Sequence, residues 1–61
     1  MAGMREYRAL VLAFEGEVLQ TIELICATEE AAIERARLLV DSHPVELWEG
    51  PRRIARFGPK H

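Results

Sequence analysis

Hydrophobic and polar positions change period along this chain, and each change marks a new element. Tyr7 to Phe14 (YRALVLAF) is an apolar, strand-favouring run that ends at Glu15-Gly16. Glu17 to Ile25 (EVLQTIELI) alternates, with Val18, Ile22 and Leu24 on one parity and Glu17, Thr21 and Glu23 on the other. Two such runs around a Gly-bearing connection predict a β-hairpin. A three-residue loop, Phe14-Glu15-Gly16, sets Ala13 opposite Glu17 and gathers Leu10, Leu12 and Phe14 on one face with Val18, Ile22 and Leu24. A two-residue loop, Glu15-Gly16, divides that face and sets Arg8 opposite Glu23. The three-residue loop is preferred, because it collects the large apolar side chains and lets Gly16 take the left-handed position of a bulge.

The period then lengthens. Ala32, Ile33, Ala36, Leu39 and Val40 recur at three- and four-residue spacing, which predicts one apolar helical face from Glu29 to about Ser42. Thr28 is placed as its N-cap, and Glu29 and Glu30 lie at the positive end of the helix dipole. Glu30, Glu34, Arg37 and Asp41 fall on the opposite side. The small side chains of Ala32 and Ala36 allow close approach to a sheet. Pro44 stops the helix and biases His43 away from helical angles.

Val45 to Trp48 (VELW) and Arg53 to Phe57 (RIARF) flank Glu49-Gly-Pro-Arg52, where Pro51 suits the second position of a type I turn. Pairing Glu49 with Arg53 sets Trp48 opposite Ile54, Leu47 opposite Ala55, Glu46 opposite Arg56 and Val45 opposite Phe57. That register gives opposite-charge and apolar cross-strand pairs together, so it is adopted.

The predicted order is β-β-α-β-β in a single α+β domain, with residues 1–4 and 58–61 as loose tails. The helix returns the chain so that the third strand lies beside the first, in an antiparallel four-stranded sheet of order 2-1-3-4. One helix covers one face. The opposite face is expected to carry Trp48 and Ile54 from the second hairpin and Tyr7, Val11 and Leu19 from the first, more apolar surface than a monomer leaves wet.

Composition sharpens that expectation. Sixty-one residues, 49% of them hydrophobic, make one small domain of marginal stability. Cys26 is the only cysteine, so no disulfide forms within the chain. Two histidines, His43 and His61, with one cysteine make a poor metal-ligand set, and no cofactor is expected. The remaining reinforcement is self-association, with a homodimer favoured, or a protein partner. No apolar run is longer than Ala9 to Phe14, and the first residues lack the apolar core of a signal peptide, so a cytoplasmic setting is expected.

Net charge is −2, which opposes general nucleic-acid binding, but the distribution is uneven. All ten acids lie within residues 1–50, whereas residues 51–61 hold Arg52, Arg53, Arg56 and Lys60 and no acid. Beside Trp48 and Phe57, these cations form a candidate anion or nucleic-acid site. The blander alternative pairs Arg53 and Arg56 with Glu49 and Glu46, leaving Arg52 and Lys60 unpaired.

Other chemistry is sparse. Cys26 precedes a helix N-terminus, where the dipole favours a thiolate, but His43 lies at the far end of that helix, roughly 20 Å away at about 1.5 Å per residue. A small buried hydrophobe is the simpler role for Cys26. Ser42 and His43 are adjacent, which alone is no nucleophile–base arrangement, and His43 is expected to cap the last carbonyls of the helix. The four glycines are isolated and form no phosphate-binding loop.

From Ala27 to Phe57 the chain reads ATEEAAIERARLLVDSHPVELWEGPRRIARF. This resembles a family of short bacterial proteins with the pattern EAAIE.A..LVD.H.VELW.G.R..A, and the similarity extends over Tyr7 to Leu24. Members often carry an acidic Asp-x-Asp-Gly turn where this chain has Ala13-Phe14-Glu15-Gly16, and a glycine in place of Ser42. No activity attaches to that family, so the resemblance implies boundaries and no catalytic residue. Thr28-Glu29-Glu30-Ala31 is also similar to the helix start of HicB-like antitoxins, which implies a regulatory binding module as the alternative to a non-enzymatic oligomerising domain.

Overall fold

A computed structural model describes residues 3–59. Its elements are β1 (Arg5–Leu12), β2 (Val18–Cys26), α1 (Glu29–Leu39), β3 (Val45–Glu49) and β4 (Arg52–Phe57). The four strands form one antiparallel sheet in the order β2-β1-β3-β4, as the sequence predicts. Of the predicted tails, residues 3–4 and 58–59 carry no helix or strand, and Met1, Ala2, Lys60 and His61 lie outside the described residues.

Helix α1 starts where capping chemistry places it. The Thr28 hydroxyl accepts the Ala31 N–H at 3.1 Å, and Glu29 and Glu30 occupy the first turn. It ends at Leu39, short of the predicted Ser42. Val40 is extended (ψ 128), its N–H reaching the Arg37 carbonyl at 3.2 Å. The Val40 side chain lies in the core from this extended position.

The core lies between α1 and one face of the sheet. Tyr7, Ala9, Leu24, Cys26, Val45 and Leu47 line the sheet side, and Ala32 and Ala36 the helix side. Ala9, Ala32 and Ala36 are fully buried, so small side chains line both the sheet side and the helix side of the core. Val45 and Leu47 face the helix as expected, with Phe57 packed against the same cluster.

The first hairpin departs from its predicted facing. Its loop is the expected Phe14-Glu15-Gly16: the Ala13 N–H donates to Glu17 at 2.7 Å, and Gly16 takes φ +97. Beyond Leu12↔Val18 the ladder skips Leu19 and continues as Val11↔Gln20 through Arg8↔Glu23 to Arg5↔Cys26. A β-bulge thus joins the three-residue loop to the register of the two-residue loop. The odd residues of β1 face the helix, so the predicted grouping of Leu10, Leu12, Phe14, Val18, Ile22 and Leu24 breaks up. The floor beneath α1 must be small at its centre, which Ala9 satisfies and Leu10 does not.

The second hairpin behaves alike. Val45↔Phe57, Glu46↔Arg56 and Leu47↔Ala55 match the prediction, but the ladder then skips Ile54 and pairs Trp48 with Arg53 and Glu49 with Arg52. The connection shrinks to Gly50-Pro51, with Gly50 at φ +58 in the first central position, as a type II′ turn requires. The predicted type I turn on Pro51 is therefore replaced.

Candidate interaction surface

The residues expected on the helix-free face separate. Tyr7 is 2% exposed and belongs to the core under α1, and Val11 packs against the same core, because β1 presents its odd residues to the helix. Both leave the proposed outer surface. Leu19 and Ile54 are the residues that the two ladders skip; Leu19 is exposed, and Ile54 is half-buried against the core. Trp48 alone of the set lies regularly on the helix-free face.

That face is more polar than expected. Alternation brings Glu6, Arg8, Leu10 and Leu12 of β1 onto it, with Thr21, Glu23 and Ile25 of β2, Glu46 and Trp48 of β3, and Arg53 and Arg56 of β4. Glu46 organises its β4 side. Its carboxylate accepts the Trp48 indole N–H at 2.9 Å and lies 3.4 Å from the Arg53 guanidinium and 3.5 Å from that of Arg56. With its own side chain only 12% exposed, Glu46 gives the indole a polar partner and sets Trp48 among charged neighbours.

The third arginine is engaged on the other side of the sheet. Arg52 contacts Glu29 at 3.0 Å and Glu49 at 2.9 Å, while Arg5 reaches Glu49 at 2.8 Å. Arg52 was expected to be unpaired; the shortened turn brings it opposite Glu49 and beside the helix N-terminus. Its pKa is raised, chiefly by the hydrogen bond to Glu29 and then by that to Glu49, so it stays charged throughout the physiological range. Arg52, Arg53 and Arg56 are thus all turned onto glutamates, and a phosphate would have to displace those carboxylates. Lys60 lies outside the described residues.

The remaining candidates carry little chemistry. Cys26 is a buried free thiol, part of the core cluster. His43 stacks near Phe14 (ring centroids 5.8 Å) instead of capping α1, since the helix ends four residues earlier. Ser42 Oγ lies 3.3 Å from His43 Nδ1 at an exposed bend. Among the described residues no group of three or more His, Cys, Asp or Glu side chains is arranged to hold a metal ion. A depression lined by Glu6, Tyr7, Arg8, Glu23 and Gly50 measures about 120 Å³. Small-molecule sites usually run from about 300 Å³. No described helix is long and apolar enough to cross a membrane.

What sequence reasoning missed is the inequality of the two sheet edges. β4 is short, bears Arg52, Arg53 and Arg56, and is bent by the bulge at Ile54, all of which discourage pairing with another strand. β2 spans nine residues with Glu23 as its one charged side chain and no proline. Val18, Leu19 and Ile25 on it are 49%, 52% and 52% exposed. The composition of VLQTIELIC and the predicted order 2-1-3-4 both carried the signal, but the sequence expectation weighed the faces of the sheet and not its edges. No protein-family model, curated protein or solved structure matches this chain.

Proposed function

We propose that this chain is a non-enzymatic, cytoplasmic interaction domain that acts by self-association. The observation that carries the reading is the open β2 edge, a long strand with exposed apolar side chains and one charge, in a sheet whose other edge bears three arginines. Natural sheets blunt edges that must stay single; β4 carries three arginines along its length, whereas β2 beyond its Leu19 bulge carries only Glu23. The small core makes association useful, because a domain of 61 residues buries a modest share of its unfolded surface. A buried, unpaired Cys26 suits the reducing cytoplasm. Sedimentation velocity over a range of concentrations tests the reading. A sedimentation coefficient that rises toward that of a dimer supports it, and a monomer at every concentration up to about 1 mM overturns it, since a partner weaker than that contributes only about 4 kcal/mol.

A further inference from the structure

Resting on that self-association, we infer that two copies join edge to edge through antiparallel pairing of β2 with β2, centred on Ile22. The backbone sets which groups are free to pair. Leu12 donates its N–H to Pro44 on the β3 side of β1, and Ala13 donates to Glu17 on the β2 side. Alternation along β1 then makes Ala9↔Ile22, Tyr7↔Leu24 and Arg5↔Cys26 the hydrogen-bonded pairs. Thr21, Glu23 and Ile25 therefore turn their N–H and C=O groups away from β1, toward open solvent.

Side chains select the register. Centring the pairing on Glu23 places carboxylate against carboxylate, which is repulsive. Centring it on Thr21 sets the Leu19 bulge against the partner's Glu23, and centring it on Leu24 runs Thr21 past the end of the partner strand at Cys26. Centred on Ile22, Thr21 pairs with the partner's Glu23 and Glu23 with the partner's Thr21, each pair exchanging both N–H···O bonds. The threonine hydroxyl can donate to the carboxylate across each pair, and Ile22 meets the partner's Ile22 at the axis. Ile25, exposed in one copy, is brought beside the Leu19 end of the other.

The helices permit this arrangement. α1 packs across β2 and β3, so its axis lies over β1. A two-fold axis normal to the sheet separates the two β1 strands by three strand spacings, about 14 Å, against a helix diameter of about 10 Å. The pairing surface is narrow and belongs to the transient class of interfaces.

Three variants of the full chain test the mode separately from the association itself. In a Cys26→Ala background, Ile22→Cys places thiols across the axis in a non-hydrogen-bonded pair, whose Cα separation of about 4.5 Å suits a disulfide. Mild oxidation should give a covalent dimer, and Trp48→Cys in the same background should not. Thr21→Pro removes an outward N–H that β1 does not use, and should weaken association about tenfold or more while leaving the circular dichroism of the monomer intact. Association that survives Thr21→Pro in a folded chain, or cross-linking through Trp48→Cys instead of Ile22→Cys, overturns the edge pairing and leaves self-association standing. A parent chain that sediments as a monomer throughout overturns both.

Discussion

Tyr7→Phe should stabilise this protein. Tyr7 is 2% exposed, packed in the core beneath α1, and its hydroxyl oxygen is buried with no hydrogen-bond partner. Burying a hydroxyl unpaired costs about 1–3 kcal/mol. Phenylalanine keeps the ring, and losing the dispersion contacts of one oxygen forfeits only a few tenths of a kcal/mol. The substitution should therefore gain about 1 kcal/mol or somewhat more. At about 2.1 cal/mol/K per residue, the unfolding entropy of a chain this size is roughly 0.13 kcal/mol/K, so the melting temperature should rise by about 8 °C. Thermal and urea unfolding, run at one fixed protein concentration because association shifts apparent stability, measure the effect. A loss of about 0.5 kcal/mol or more with an unchanged urea slope would show that the hydroxyl is bonded in solution, refuting the reasoning.

Other substitutions probe separate links in the account. Leu47→Ala opens a cavity at a fully buried position opposite Ala9 and should cost about 2–5 kcal/mol, much of the roughly 3–9 kcal/mol that a domain this size holds; urea titration reads it. Thr28→Ala should cost about 1 kcal/mol by freeing the Ala31 N–H, and Thr28→Asp should restore most of it in the same assay. Gly50→Ala meets no atom within 4 Å, yet should cost about 1–2 kcal/mol because φ is +58, with Gly50→Asn costing less in thermal melts.

The strand and helix order and the sheet topology were legible because each rests on local chemistry: the alternation of Glu17 to Ile25, the Thr28 cap and the break at Pro44. Face assignment in β1 was not. Leu10, Leu12 and Phe14 outweigh Tyr7, Ala9 and Val11 as a row of hydrophobic side chains, but a helix with Ala32 and Ala36 on its inner face needs a small residue beneath it. That constraint is tertiary and overrides the local pattern. Both bulges escaped for a related reason. A skipped Leu19 or Ile54 leaves no mark in composition, and each was chosen in order to reconcile a turn with the face its strand must bury. The arginine cluster and the Arg56–Glu46 pair were visible in the sequence, whereas the pairing of Arg53 with Glu46 and of Arg52 with Glu29 and Glu49 depended on the turn that moved Arg52 by one position.

Amide hydrogen exchange, followed by NMR at low and high protein concentration, tests the edge pairing most directly. The N–H groups of Thr21 and Glu23 point to solvent in the monomer and lie within the ladder of the proposed dimer. Their exchange should slow as concentration rises, while that of Arg53 on the opposite edge strand stays constant. Exchange at Thr21 and Glu23 that remains independent of concentration, in samples where sedimentation shows dimer, would contradict the claim that β2 is the surface through which this protein associates.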